Sequence, residues 1–213
     1  MSRLPAWIGQ HLAAVRAIIV LTVITGFIYP LVVLGIGQAA FHNQANGSLV
    51  SANGKVVGSS LLCQEFVDSK GNPLPQYFQP RPSTASAANS KTDFGCDPNY
   101  SGASNLGPNN TTLLQNIQQR KAAYAKLNGV PASSVPPDAV TTSGSGLDPY
   151  ISPQNAYLQV NRVASARHLS PAQVKALVDS HVQSRTLGFL GEPRVNVLTL
   201  NMALDQLSAK SGS

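Results

Sequence analysis

Charge is scarce in this sequence. Asp, Glu, Lys and Arg together make up 11% of its 213 residues, against about a quarter of an ordinary soluble domain. The 15 Lys and Arg are scattered, so the net charge of +6 forms none of the basic runs or stripes by which a protein grips nucleic acid. Aromatic residues are equally thin at 6% and dispersed, which weighs against a binding module built on exposed aromatic clusters. The chain has two cysteines and four histidines, none at zinc-ligand spacing, and no metal site is expected.

Catalytic signatures are missing too, and each absence excludes a chemistry. A G-x-x-x-x-G-K-[ST] phosphate cradle is not present, because Gly54-Lys55 continues as Val56. The G-x-S-x-G nucleophile elbow fails twice: Gly58 and Gly102 supply the first glycine before Ser60 and Ser104, but Leu62 and Leu106 stand at the second. The richest polar turn, Ser143, Ser145 and Asp148 in T-S-G-S-G-L-D-P, has no identifiable base, and Gly-rich turns closed by Asp-Pro are ordinarily structural. The chain is read as carrying no catalytic residue and no cofactor of its own.

What the sequence does contain is one long apolar run. From Ala17 to Ile36 there is no charge, and a helix of that length rises about 30 Å, the thickness of a bilayer's hydrocarbon core. A cleaved signal peptide is the rival reading, but its apolar region spans only about 7 to 15 residues. Arg3 and Arg16 precede the run, and the next Lys or Arg is Lys55. The positive-inside rule then places the N-terminus in the cytoplasm. The expected organisation is a cytoplasmic tail over 1–11, a transmembrane helix over 12–38 and an external domain over 39–213. Pro30 lacks the N–H that would bond the Gly26 carbonyl, so a kink is expected there. Thr22, Gly26 and Pro30 recur every four residues, a small-residue face on which another span packs closely.

The external part is read as one α+β domain, helix-rich in its C-terminal half. Val56 to Leu62 is a short strand. Phe66 to Pro108, dense in Gly, Pro, Ser and Asn, is an irregular loop folded over the domain. Thr111 to Asn128 forms an amphipathic helix with Leu113, Ile117, Tyr124 and Leu127 near one face and Gly129 at its end. Ser152-Pro153 and Ser170-Pro171 each open a helix, the second with Gln173 completing a capping box. Val195 to Leu207 is read as a buried helix, its pattern fitting helix slightly better than strand. Cys63 and Cys96 lie in the part assigned to the oxidising side. They either pair or remain two small apolar thiols, which sequence alone leaves open.

Four widely spaced blocks carry a resemblance. They are Y-F-Q-P-R-P-S (Tyr77 to Ser83), S-G-A-S-N-L-G-P (Ser101 to Pro108), T-S-G-S-G-L-D-P-Y-I-S-P (Thr142 to Pro153) and L-G-E-P-R-V-N-V-L-T-L-N-M-A-L-D (Leu190 to Asp205). Weaker links are Gly58-Ser59, and Gln159-Val160 with Arg162-Val163-Ala164. In this order, behind one N-terminal span, they resemble the C subunit of the Kdp potassium-transporting P-type ATPase. The resemblance covers nearly the whole chain, with departures: Tyr150 stands where His is common, Gln183 where Glu is usual and Cys63 where Gly is usual.

The resemblance implies an accessory, non-catalytic subunit of a potassium-uptake complex in the bacterial plasma membrane. Its partners there would be a channel-like potassium-conducting subunit, an ATP-hydrolysing P-type subunit and a small single-span subunit, with membrane lipid around them. ATP and potassium would be handled by the complex. It further implies a catalytic chaperone role, raising the ATPase subunit's affinity for ATP. A domain across the bilayer from the nucleotide exerts such an effect only by biasing a conformational equilibrium. A membrane-anchored external hydrolase or binding module is the alternative; the first needs a nucleophile, base and orienting group, the second an aromatic-rich surface. Candidate contact residues are Thr22, Gly26 and Pro30 in the span, and Arg81, Asn105, Asp148, Glu192 and Arg194 in the blocks. Cys63 and Cys96 are the candidate disulfide.

Overall fold

The computed structural model describes residues 5–86 and 95–211. The chain divides into an N-terminal unit, Met1–Leu49, and a larger one, Val50–Ser213. In the first, helix continues from Ala6 to Ala40 as α1 (Ala6–Val23), a π-turn (Ile24–Ile28) and α2 (Tyr29–Ala40). Pro30 explains the π-turn. Its ring would press on the carbonyl one turn back and it offers no N–H, so the preceding turn widens and the Tyr29 N–H reaches the Ile24 carbonyl. The disturbance expected at Pro30 takes the form of this local widening. A single turn, α3 (His42–Ala45), follows. Among the described residues, Ala6–Ala40 is the one helix long and apolar enough to cross a membrane, with mean hydropathy 2.6.

The larger unit opens with a hairpin of β1 (Leu49–Ala52) and β2 (Lys55–Ser59). Its two-residue turn is Asn53-Gly54, both at positive φ (50° and 76°), the conformation such tight hairpins require. After a long stretch whose described residues form no helix or extended sheet, α4 (Thr111–Asn128) begins where the Asn110 side chain accepts from the Thr112 and Leu113 N–H groups. It ends at Gly129 with φ 64°. Then come β3 (Tyr150–Ile151), α5 (Pro153–Ala166), α6 (Pro171–His181), β4 (Val182–Gln183), β5 (Arg194–Asn196) and α7 (Val197–Ser211). Ser152 caps α5 through the Asn155 N–H, and Ser170 with Gln173 forms the capping box of α6. The fold is α+β.

One correction concerns the last segment. Val195 and Asn196, read from the sequence as the start of a helix, are strand: β5 lies between β3 and β4, antiparallel to both. Val195 pairs with Ile151 on one side and Val182 on the other. The helix starts only at Val197. Around this sheet α5, α6 and α7 bury Val160, Val163, Val174, Val178, Leu200 and Leu204, and the long loop contributes Phe78, fully buried. Burying each such side chain is worth about 1.5–3 kcal/mol. A smaller cluster gathers Cys63, Ala85, Cys96 and Leu147.

Candidate functional site

The first block is held down by side chains from distant helices. Asn201 on α7 is buried and treats Phe78 as a neighbouring strand would: its Oδ1 accepts from the Phe78 N–H and its Nδ2 donates to the Phe78 carbonyl, both at 2.9 Å. Gln159 on α5 repeats the device on Gln79, accepting from its N–H at 2.7 Å and donating to its carbonyl at 3.2 Å. Arg162, one turn on, donates to the carbonyls of Pro75 (2.6 Å) and Tyr77 (2.9 Å), to Asn128 Oδ1 (2.8 Å) and to Gln159 Oε1 (2.7 Å). Burial lowers the pKa of this guanidinium to about 10. Arg167 stacks on the Tyr77 ring at 4.6 Å and donates to the Gln76 carbonyl at 2.7 Å.

The remaining blocks lock onto the first and onto each other. Ser83 Oγ donates to the Gly146 carbonyl at 2.6 Å and accepts from the N–H groups of Ala85 and Cys96. The Gly102 N–H donates to the Ser145 carbonyl at 2.8 Å, and the Val197 N–H to the Pro149 carbonyl at 3.0 Å. Gly146 has φ 72°, and a Cβ there would lie 2.6 Å from the Gly102 carbonyl oxygen, so glycine alone lets these two loops touch. The hydroxyls of Ser143 and Ser145 accept the N–H groups of Gly146 and Leu147, the ordinary work of turn serines. Cys63 and Cys96 are joined, with Cα atoms 5.5 Å apart, and Cys63 donates its N–H to the Leu147 carbonyl at 2.9 Å.

Beside this junction lies a groove of about 370 Å³ whose walls include Arg81, Asp138, Asp148, Tyr150, Glu192 and Arg194. Arg81 donates to Asp148 Oδ2 at 3.0 Å and reaches the carbonyls of Thr141 and Thr142 at 3.4 Å. Its buried Nε has no acceptor among the described residues. Asp148 Oδ1 accepts the Tyr150 N–H. Arg194 lies over the Tyr150 ring at 4.4 Å in a cation–π contact, and Glu192 pairs with Arg185. Asp138 takes three bonds, from the Ser152 N–H and hydroxyl and from Asn155 Nδ2. Behind it the Tyr124 hydroxyl donates to Asn155 Oδ1 at 2.8 Å, its pKa raised by burial and by the charge of Asp138.

Four of the sequence-predicted residues therefore share one groove: Arg81, Asp148, Glu192 and Arg194. Asn105 is outside its lining, exposed in the 101–108 stretch with φ 52°. Thr22, Gly26 and Pro30 are exposed on the N-terminal helix. Gln159 and Arg162 stand in the weaker sequence links and Asn201 in the last block, but their role as anchors was not read from the sequence. Asn155, Gln159 and Arg162 follow one another at i, i+4 and i+7 on α5, and such a polar stripe inside a buried helix is the signal that marks them. Chemically, the arrangement is a junction whose polar groups are largely satisfied by one another.

The family model described as K+-transporting ATPase, c chain (KdpC), matches residues 11–206. The chain belongs to the KdpC family. Relatives named potassium-transporting ATPase KdpC subunit include that of Mycobacterium tuberculosis, 50% identical over 199 residues, covering 93% of this chain and 98% of the relative. That of Streptomyces avermitilis is 49% identical over 211 residues, covering 93% and 94%. That of Kineococcus radiotolerans is 50% identical over 187 residues, covering 88% of each. The KdpC match includes all four blocks and most of the Ala6–Ala40 helix. A KdpC chain with one such helix is a membrane-anchored, single-pass protein.

Proposed function

We propose that this chain is the accessory, non-catalytic subunit of a potassium-transporting ATPase, needed for assembly and stability of the complex. The carrying observation is the KdpC family match across residues 11–206. The interlocked blocks support it: Arg81, Asp148, Ser143 and Ser145 are engaged in holding loops together, which is what a rigid docking body requires. The N-terminus is cytoplasmic and the larger unit external, on the argument that Arg3 and Arg16 precede the apolar helix. Its partners are the potassium-conducting channel-like subunit, the ATP-hydrolysing subunit and the small single-span subunit. In that arrangement the domain raises ATP affinity across the bilayer by favouring the nucleotide-binding conformation of its partner.

Mild solubilisation of the membranes tests this directly. The tagged chain should bring down the other pump subunits stoichiometrically, while the purified chain alone hydrolyses no ATP above background. Reporters fused after Ala40 should be active for an enzyme that needs oxidising folding and dark for a cytoplasm-dependent fluorophore. Absence of partners, or turnover by the isolated chain, would end the reading.

A further inference from the structure

The turn between β4 and β5 holds apolar side chains in water where the fold has no use for them. Leu187 is 79% exposed and Phe189 68%, more than any large apolar residue of the Ala6–Ala40 helix, and Leu190 is 50% exposed. The turn itself is well made. Thr186 and Leu190 exchange both backbone bonds at 2.9 Å, and the Gly188 N–H closes on the Arg185 carbonyl at 3.1 Å. Leu187 has φ 54°, a conformation that leucine resists and that here turns it outward. Charges stand at the base of the turn, with Arg185 paired to Glu192 and Arg194 stacked on Tyr150.

We propose that this turn is a second membrane contact, inserting Leu187, Phe189 and Leu190 into the headgroup–acyl boundary of the leaflet that faces the domain. The bilayer is the apolar phase to which the domain is tethered: α2 ends at Ala40 and β1 opens at Leu49, which leaves a short connector over 41–48. An apolar tip over an arginine base is the layout of interfacial anchors, in which cations stay at headgroup level while the tip is buried. A protein partner fits less well. A stable protein interface draws on about 800 Å² from each side, far more than three side chains present, whereas a tip on an already tethered domain has no such minimum.

The test uses the full-length chain with Trp7→Phe and Phe189→Trp, which leaves a single tryptophan at the tip, in vesicles of phosphatidylglycerol and phosphatidylcholine. Emission should shift to the blue. Lipids brominated near the headgroup end of the acyl chain should quench it roughly twofold or more, since an interfacial anchor sits about 5–10 Å inside the boundary. Tyr100→Trp in the Trp7→Phe background, at another exposed loop, should stay water-like. Adding Leu187→Asp and Leu190→Asp should abolish the quenching at the tip and leave the domain's melting temperature unchanged. Water-like emission from the tip in vesicles overturns the proposal, as does equal quenching at both positions. Shielding that arises only when the other pump subunits are co-reconstituted assigns the turn to a protein partner and overturns it as well.

Discussion

Replacing Asn201 by Ala removes both bonds that hold the Phe78 peptide. Asn201 is 1% exposed and Phe78 0%, so the freed N–H and carbonyl stay buried. Each unsatisfied buried group costs about 1–3 kcal/mol, and together they predict a loss of about 2–6 kcal/mol. For a domain of this size each kcal/mol moves the melting temperature by roughly 2–4 °C, so a fall of about 4–24 °C is expected. Near-UV circular dichroism of the solubilised full chain in the Trp7→Phe background follows the tertiary melt chiefly through the domain's tyrosines and its disulfide. Asn201→Asp sharpens the test. Its carboxyl must keep a proton to donate to the Phe78 carbonyl, and burial raises its folded pKa above the unfolded value. Stability from that bond is present below the unfolded pKa and lost as pH rises through the folded one. Its melting temperature should therefore decline between about pH 5 and pH 8, while that of Asn201→Ala stays level. A fall of under about 2 °C for Asn201→Ala, or a flat pH profile for Asn201→Asp, refutes the assignment of Asn201 as the anchor of this block.

Reduction of Cys63–Cys96, which spans 33 residues, should destabilise the domain by about 3–4 kcal/mol in the chain-entropy account; full alkylation of both thiols in denatured, unreduced protein would dispose of the bond. Gly26→Ile meets nothing closer than Thr22 Cγ2 at 3.9 Å from the new Cβ, so the chain's own melting should be unaffected while copurification of partner subunits weakens; normal assembly would leave the helix as an anchor only. Asp68 is held below the usual carboxylate range, chiefly by the Asn72 side chain, with the Asn72 and Lys70 N–H groups assisting. Its support of the 68–72 turn is complete above the ordinary value of 3.8 and lost as pH falls through the lower folded one. The Asn72 amide resonance should report a midpoint below 3.8, and one at or above it would contradict the bonding.

Helix ends were legible because their signals are local. Ser152-Pro153, Ser170-Pro171 with Gln173, and Gly129 each act within one turn of themselves, and each marks the boundary found. Val195 and Asn196 misled because β5 runs into α7 with no linker, and a strand of three residues is too short for a period of two to show against the helix that follows it. The blocks were visible as blocks, and Arg81, Asp148, Glu192 and Arg194 could be named from them. What gathers them was not visible. Asn201, Gln159 and Arg162 act on peptides 123, 80 and 85 residues away, and spacing in the chain carries no record of such pairs.

Those separations also set the order in which the domain can be completed. The segment from Tyr77 to Ser83 emerges from the ribosome early, yet its peptide groups wait for Gln159, Arg162 and finally Asn201, near the end of the chain. Until α7 has been synthesised and has cleared whatever channel the chain passes through, the core that Phe78 joins is incomplete, because it includes Leu200 and Leu204. Contacts of such long range are formed late and slowly. The domain is thus a latch whose closing part is made late, and a nascent chain that stalls before Asn201 presents an open loop at Phe78, exposed to proteases.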